Sequence, residues 1–346
     1  MRAALQYAPH DLRVVEIPEP SPGVGEVKVK IAYCGVCGSD HEIHKGTFSL
    51  MKKPKWPKSP FSRGHEISGI IVELGEGLLL GYEIGQRVAI SPFSSCGGCY
   101  YCRNKMPHYC EHISFRECGF QEYAVYHESA VYPLPEQVSL QCGALLEPLA
   151  VALHAVDAAN ILPGKTVAIT GGGSIGLLSL LVALRAGAAR VMVSEPSPSK
   201  RRLAEELGAD WTVDPFADDV VQIGRELTDG RGYDTVIEAS GSLTAARQCL
   251  ELAGICGTVV WAGVYPEEIE LSVNLFHMWQ KELTTRSIFA SPYTFTRALN
   301  LLTKLNLEPL ISEVIPLENI ARVFASHDTN TGVKSLIQMW PDICVH

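Results

Sequence analysis

The sequence predicts an α/β chain in two parts: a mainly-β domain, then a doubly wound parallel sheet. Three observations predict it. The first ninety residues hold short β-like runs broken by glycine and proline. From Pro148 onward, strand-like and helix-like segments alternate. The length of 346 residues, 47% apolar and 19% charged, is enough for two domains with sizeable cores. The expected division is 1–150, completed by 290–346, against 151–289, with a cysteine-rich lobe at about 94–112.

In chain order, residues 12–17 alternate loosely, 27–31 alternate cleanly, and 67–74 and 88–90 are β-branched runs. Pro18, Pro20, Pro22, Gly23 and Gly25 punctuate them, and the block reads as a partly open barrel. Glu147-Pro148 reads as a helix entrance, because proline is tolerated at the first helical position. Leu149, Leu153 and Val156 follow at helical spacing. Strands are then expected at 166–170, 191–195, 211–213, 235–239, 258–262 and 283–289, with helices at 175–185, 199–207, 220–227 and 243–252. Such alternation requires parallel strands joined by helical crossovers. A helix near 295–305 and β-like segments at 314–316 and 333–339 are expected to pack back on the first domain.

Composition narrows the function. A net charge of -9 argues against nucleic acid or an anionic membrane as partner. The apolar run 175–184 is too short to span a bilayer, and the N-terminus does not read as a signal peptide. The expected location is the cytoplasm, where eleven cysteines point to metal rather than disulfides.

Three motifs carry chemistry. Cys96, Cys99 and Cys102, followed by Cys110, have the spacing of a closed four-thiolate zinc site, with a scaffolding role. Gly171, Gly173 and Gly176 follow a strand and open a helix. This is the Rossmann signature of a dinucleotide site, with Ser174 and Ile175 in the turn and Glu195 nineteen residues beyond the last glycine. Glu195 would accept from the ribose hydroxyls and repel a 2′-phosphate, which favours NAD over NADP. Lys200, Arg201 and Arg202 are the counter-argument, read here as a solvated basic face. The third motif runs from Cys34 to Asp40, answered by Gly64-His65-Glu66 and Glu147-Pro148. A thiolate, an imidazole and one or two carboxylates form the ligand set of a zinc with an open position.

Together these motifs, over essentially the whole chain, resemble the zinc-dependent medium-chain alcohol dehydrogenases. Glu147 stands where the simple-alcohol enzymes carry a second cysteine ligand, which resembles the polyol branch of sorbitol, threonine, butanediol and sugar dehydrogenases. The resemblance implies a GroES-like first domain, Cys37 and His65 as catalytic zinc ligands, and Glu66 or Glu147 as the carboxylate ligand. It implies that Ser39 relays the substrate proton and that Asp40 orients the histidine ligand. Glu42 stands where the family usually has a relay histidine, so relay base or substrate contact is its expected role. The chemistry the resemblance implies is hydride transfer between a secondary alcohol (polyol, sugar, cyclitol or related) and a nicotinamide, through a zinc-bound alkoxide. A simple alcohol, an amino alcohol such as threonine, or a non-enzymatic nucleotide binder are the alternatives.

Other residues are read conservatively. Cys34, Cys118, Cys142, Cys249, Cys256 and Cys344 are expected as inert core thiols. His41 is read as a surface residue and His154 as a satisfied core histidine, while His277 is weighed as facing the nicotinamide. Thr47-Phe48-Ser49-Leu50 and 274–279 are expected to line the substrate pocket. The resemblance implies a homodimer or homotetramer, with 258–265 as the joining sheet edge.

Overall fold

The computed structural model describes residues 1–47, 60–325 and 332–341. Phe48, Ser49, Leu50 and Cys344 therefore lie outside the described residues. The chain divides into two compact units, Met1–Glu147 with Pro292–His346, and Pro148–Ser291.

The first unit is built on the ten-residue strand Glu26–Gly35. It pairs antiparallel with Glu66–Leu74, Tyr123–His127 and Lys334–Gln338 inside a seven-stranded sheet. The alternation at 27–31 does what it predicts: Val27, Val29 and Ile31 are fully buried, in one core with Ile67, Ile71, Val88 and Ile90. The strand Ile311–Pro316 closes one side of this sheet, parallel to Lys334–Gln338. Tyr123–His127 was not among the expected strands, nor were two elements nearer the N-terminus. Strand Arg2–Ala8 pairs with Asp11–Glu16, and its buried residues are Ala3, Ala4 and Gln6, too small or too polar to register as a hydrophobic run. Helix Gly38–Lys45 follows strand Glu26–Gly35, with Cys37 at its N-cap and Gly46 in the left-handed region at its end. A cysteine is not an ordinary cap, so the start signal was obscured.

The second unit is a six-stranded, wholly parallel sheet. Its order is Trp211–Val213, Arg190–Ser194, Thr166–Thr170, Tyr233–Glu238, Ala253–Trp261, Thr284–Ser287. Helices Ser174–Ala186, Pro198–Glu206, Val220–Leu227 and Leu243–Leu252 alternate with the strands. The order reverses between Thr166–Thr170 and Tyr233–Glu238, the switch point where such folds bind ligands. The stretch 258–265 is not the sheet edge. Strand Ala253–Trp261 has neighbours on both sides, and the sheet's edges are Trp211–Val213 and Thr284–Ser287. The expected helix entrance also shifts: Leu146–Ala159 begins before Pro148 and carries Glu147 in its first turn. Among the described residues, no helix is long and apolar enough to cross a membrane.

Candidate active site

Cys37 caps helix Gly38–Lys45, and its backbone N–H donates to Asp40 Oδ2 at 3.0 Å. The capping geometry fixes the thiol where the strand Glu26–Gly35 ends. The neighbouring strand begins at Glu66, which lies opposite Gly35 in register. A Cβ on Gly35 would collide with Glu66 Oε2, so only glycine lets the carboxylate lie there. Cys37, His65 and Glu66 thereby offer ligand atoms that all lie within 4.8 Å of one another.

The surroundings are strongly charged. Glu66 Oε1 accepts from the buried Lys334 ammonium at 2.6 Å, while Oε2 is buried without a partner among the described residues. His65 Nδ1 faces Glu117 Oε1 at 3.4 Å and Asp40 Oδ1 at 4.0 Å. Arg63 spans the two carboxylates, 2.6 Å from Glu117 and 3.3 Å from Asp40. The histidine's nearer carboxylate is therefore Glu117 rather than Asp40, whose oxygens turn to the Cys37 amide and Arg63. Burial alone would lower the His65 pKa, but Cys37, Glu117 and Asp40 raise it well above the usual range. Burial pushes the Glu147 carboxyl up to about 7, with Glu66 and Asp40 adding to the rise against His65 and Lys334. Burial also opposes the Lys334 charge, yet Glu66 and Cys37 hold its pKa above the ordinary value.

These residues fit a divalent metal. Thiolate, imidazole and carboxylate are zinc donors, and a buried carboxylate oxygen without a donor is an acceptor in want of a cation. Ser39 is half-buried in the first turn of helix Gly38–Lys45. Glu42 is not drawn into the group, since its Oε2 accepts from Thr47 Oγ1 at 2.6 Å. His41 is not at the surface: it is buried, with its ring 5.0 Å from that of Phe324.

The four-cysteine lobe fits a second metal. Cys96, Cys99, Cys102 and Cys110 place their sulfurs within 4.8 Å of one another, with separations of 3.5, 3.8 and 4.0 Å for three of the pairs. A tetrahedron of sulfurs at the zinc bond length has edges of about 3.8 Å, far from a disulfide. Backbone amides of Cys96, Cys99 and His112 also point at the sulfurs, as thiolates require.

In the second unit, Gly171 has φ +96 and would meet the Ser240 backbone with a Cβ. A Cβ on Gly176 would collide with the Gly171 carbonyl. Glycines thus permit the turn into helix Ser174–Ala186, whose N-cap, Gly173, has no side chain to cover the first amides. Ile175 is half-buried in the helix's first turn. Glu195 directly follows the next strand, Arg190–Ser194. Its Oε2 accepts from Gly172 N at 2.6 Å and its Oε1 from Ser197 N at 2.9 Å. Arg201 departs from the solvated reading: it donates to the carbonyls of Glu195 and Pro196 at 2.7 Å and pairs with Asp214 at 3.0 Å. Lys200 is half-exposed and Arg202 exposed on the same helix.

Three residues escaped the sequence reading. Lys334 and Glu117 are distant in the chain from the motifs they serve. Glu238, fully buried at the end of its strand, accepts from Ser240 N at 2.7 Å, Gly241 N at 3.1 Å and the Tyr265 hydroxyl. It thereby pins the loops beside the glycine turn. Among the thiols, Cys34, Cys142 and Cys249 are buried, but Cys256 is exposed with φ 57, inside strand Ala253–Trp261 where its register with Tyr233–Glu238 shifts. His277 does not turn inward: it is exposed, with Nδ1 3.9 Å from Glu251. His154 is satisfied by the Ala290 carbonyl at 2.9 Å.

A thiolate–imidazole–carboxylate centre, a four-thiolate lobe and a dinucleotide turn together define a zinc-binding, nucleotide-linked oxidoreductase. The comparisons agree. The alcohol dehydrogenase GroES-like domain matches residues 23–136, and the zinc-binding dehydrogenase domain matches 174–304. An L-threonine 3-dehydrogenase of Pyrococcus abyssi is 36% identical over 86% of each chain. A 2-dehydro-3-deoxy-L-galactonate 5-dehydrogenase of Pseudoalteromonas atlantica is 34% identical over 98% of each. A structure from Sinorhizobium meliloti, described as a zinc-binding dehydrogenase and bound to NADP, superposes with a TM-score of 0.91. It is 34% identical, covering 98% of this chain and 99% of its own. The chain belongs to the zinc-dependent medium-chain alcohol dehydrogenases.

Proposed function

We propose that the protein moves hydride between NAD and a secondary alcohol of a polyol, sugar, cyclitol or related substrate, at a zinc held by Cys37, His65 and Glu66. The observation that carries this reading is the convergence of those three ligand atoms, with a buried Glu66 oxygen that has no partner among the described residues. Bound zinc supplies Lewis acidity that eases loss of the substrate's hydroxyl proton. The chain's own residues do the rest. Ser39, at the helix start beside Cys37, takes that proton and passes it outward. Glu147, its carboxyl near neutrality in pKa, hydrogen-bonds the reacting oxygen. Glu117 and Arg63 hold the His65 ring in place. Cys96, Cys99, Cys102 and Cys110 hold a second, structural zinc.

NAD is the favoured cofactor. Glu195 places a carboxylate beside the glycine turn, and Arg201 is already spent on two carbonyls and Asp214 rather than turned toward a 2′-phosphate. The threonine dehydrogenase similarity makes an amino alcohol the second candidate substrate. The test is NADH production by the zinc-loaded protein against polyols, sugars, cyclitols, simple alcohols and threonine, repeated with NADP. Oxidation of a polyol or related secondary alcohol with NAD is expected. Activity confined to primary alcohols, or to NADP, would contradict the branch or the role of Glu195.

Metal uptake carries a pH signature. In the metal-free protein the pKa of His65 is raised and that of Glu147 is about 7, so both hold protons in mildly acidic solution. Ligation requires neutral imidazole, so zinc must expel protons, and affinity falls as pH falls. Chelator competition from pH 8 to 6 should show catalytic-site affinity dropping at least about tenfold per unit, since imidazole and thiol both give up protons to the metal. A flat profile would contradict the ligand set.

The oligomer is proposed to form through strand Thr284–Ser287, which is exposed throughout and paired on one side only. In the helix Leu275–Lys281, Leu275 and Trp279 are more than 70% exposed. Sedimentation should show a dimer or tetramer that Trp279→Glu weakens. A monomer at micromolar concentration would refute it.

A further inference from the structure

Lys334 and Glu66 form a wholly buried ion pair, each side chain 2% exposed, with Nζ 2.6 Å from Oε1. The strand Lys334–Gln338 brings the lysine in beside Glu26–Gly35, and Nζ also donates to the Val36 carbonyl at 3.1 Å. The ammonium is thus fixed by one neutral acceptor and one carboxylate, next to the thiolate of Cys37. Such a pair is a poor device for stability, because desolvating both charges offsets most of their attraction. Its position suggests another use. Without Lys334, Glu66 would present two fully charged oxygens beside Cys37 and His65. A carboxylate free at both oxygens can chelate a cation and occupy two positions around it.

We propose that Lys334 is a positioning residue that occupies Glu66 Oε1, leaving the metal centre a single Glu66 oxygen of reduced charge and so a position open to substrate. The proposal rests on the metal centre described above. It predicts that the lysine makes the catalytic metal looser, which a residue serving only to hold the fold together would not do. Removing the positive charge both frees the second oxygen and lifts a repulsion from the cation.

The experiment uses the full-length, zinc-loaded protein as wild type, Lys334→Met and Lys334→Arg. It follows the transfer of each zinc to a colorimetric chelator, together with zinc X-ray absorption and melting temperature. Lys334→Met should release the faster-leaving zinc at least roughly tenfold more slowly, with an added oxygen neighbour, while the cysteine-bound zinc is unchanged. Its kcat should fall, and Lys334→Arg should return release toward the wild-type rate. Release at the wild-type rate or faster in Lys334→Met overturns the proposal, as does faster loss of both zincs with a lowered melting temperature. A wild type with no second, faster-leaving zinc overturns the metal reading itself.

Discussion

Replacing Cys37 by serine is expected to cut turnover by at least about 10⁴-fold and to release one zinc per chain while the other stays. Serine is the informative choice because it is a good N-cap residue. The backbone N–H at this position still donates to Asp40, so helix Gly38–Lys45 keeps its start. What is lost is the thiolate, a stronger zinc donor than a hydroxyl that stays protonated at neutral pH. The melting temperature should therefore move little when measured without added metal. Metal analysis and steady-state kinetics on the same preparation check both halves. A Cys37→Ser protein that keeps two zincs, or that keeps a tenth of its turnover, would remove this residue from the centre.

The second large effect is structural. Cys102→Ser should open the lobe between residues 96 and 110, lose the more tightly held zinc and aggregate on warming. The lobe has little else to hold it. Its regular structure is the four-residue helix Tyr100–Arg103, a short helical turn at Pro107–Tyr109 and the two-residue strands Phe93–Ser94 and Ser114–Phe115. Tyr100, Tyr109 and Phe115 are each at least half exposed, so there is no apolar core of the kind that folds a segment unaided. Structural zinc is worth on the order of 10 kcal/mol in such small elements. Limited proteolysis reads the result: cleavage within the lobe in the variant and protection in the wild type. Equal protection in both would mean that the sulfurs are not what organises it.

Much of this architecture is legible in the chain itself, for a physical reason. Metal sites and dinucleotide turns are made of local spacings: Cys96 to Cys102, Gly171 to Gly176, Gly64 to Glu66. The parallel sheet is legible because strands such as Thr166–Thr170 carry an unbroken buried apolar centre, here Val167-Ala168-Ile169. What escapes is set by pairing across the chain. Lys334 meets Glu66 from 268 positions away, and a lysine in a short strand carries no local sign of burial. Glu117 reaches His65 through the fold, not through a motif. Glu238 lies in an unremarkable strand, and its importance lies in the amides that converge on it. The sheet edge was misplaced for the same reason: a strand's neighbours are a property of the sheet. The strand Arg2–Ala8 hides behind alanines, and helix Gly38–Lys45 behind a cysteine cap.

The central claim is that a zinc at Cys37, His65 and Glu66 performs the chemistry, while the cysteine lobe only scaffolds. The most direct test is to strip the faster-leaving zinc with a chelator and titrate zinc back while following alcohol oxidation. Activity should vanish on stripping with one zinc per chain still bound, and return in proportion to a second zinc, complete at two. Full activity with one zinc per chain, or activity that survives stripping, would contradict it.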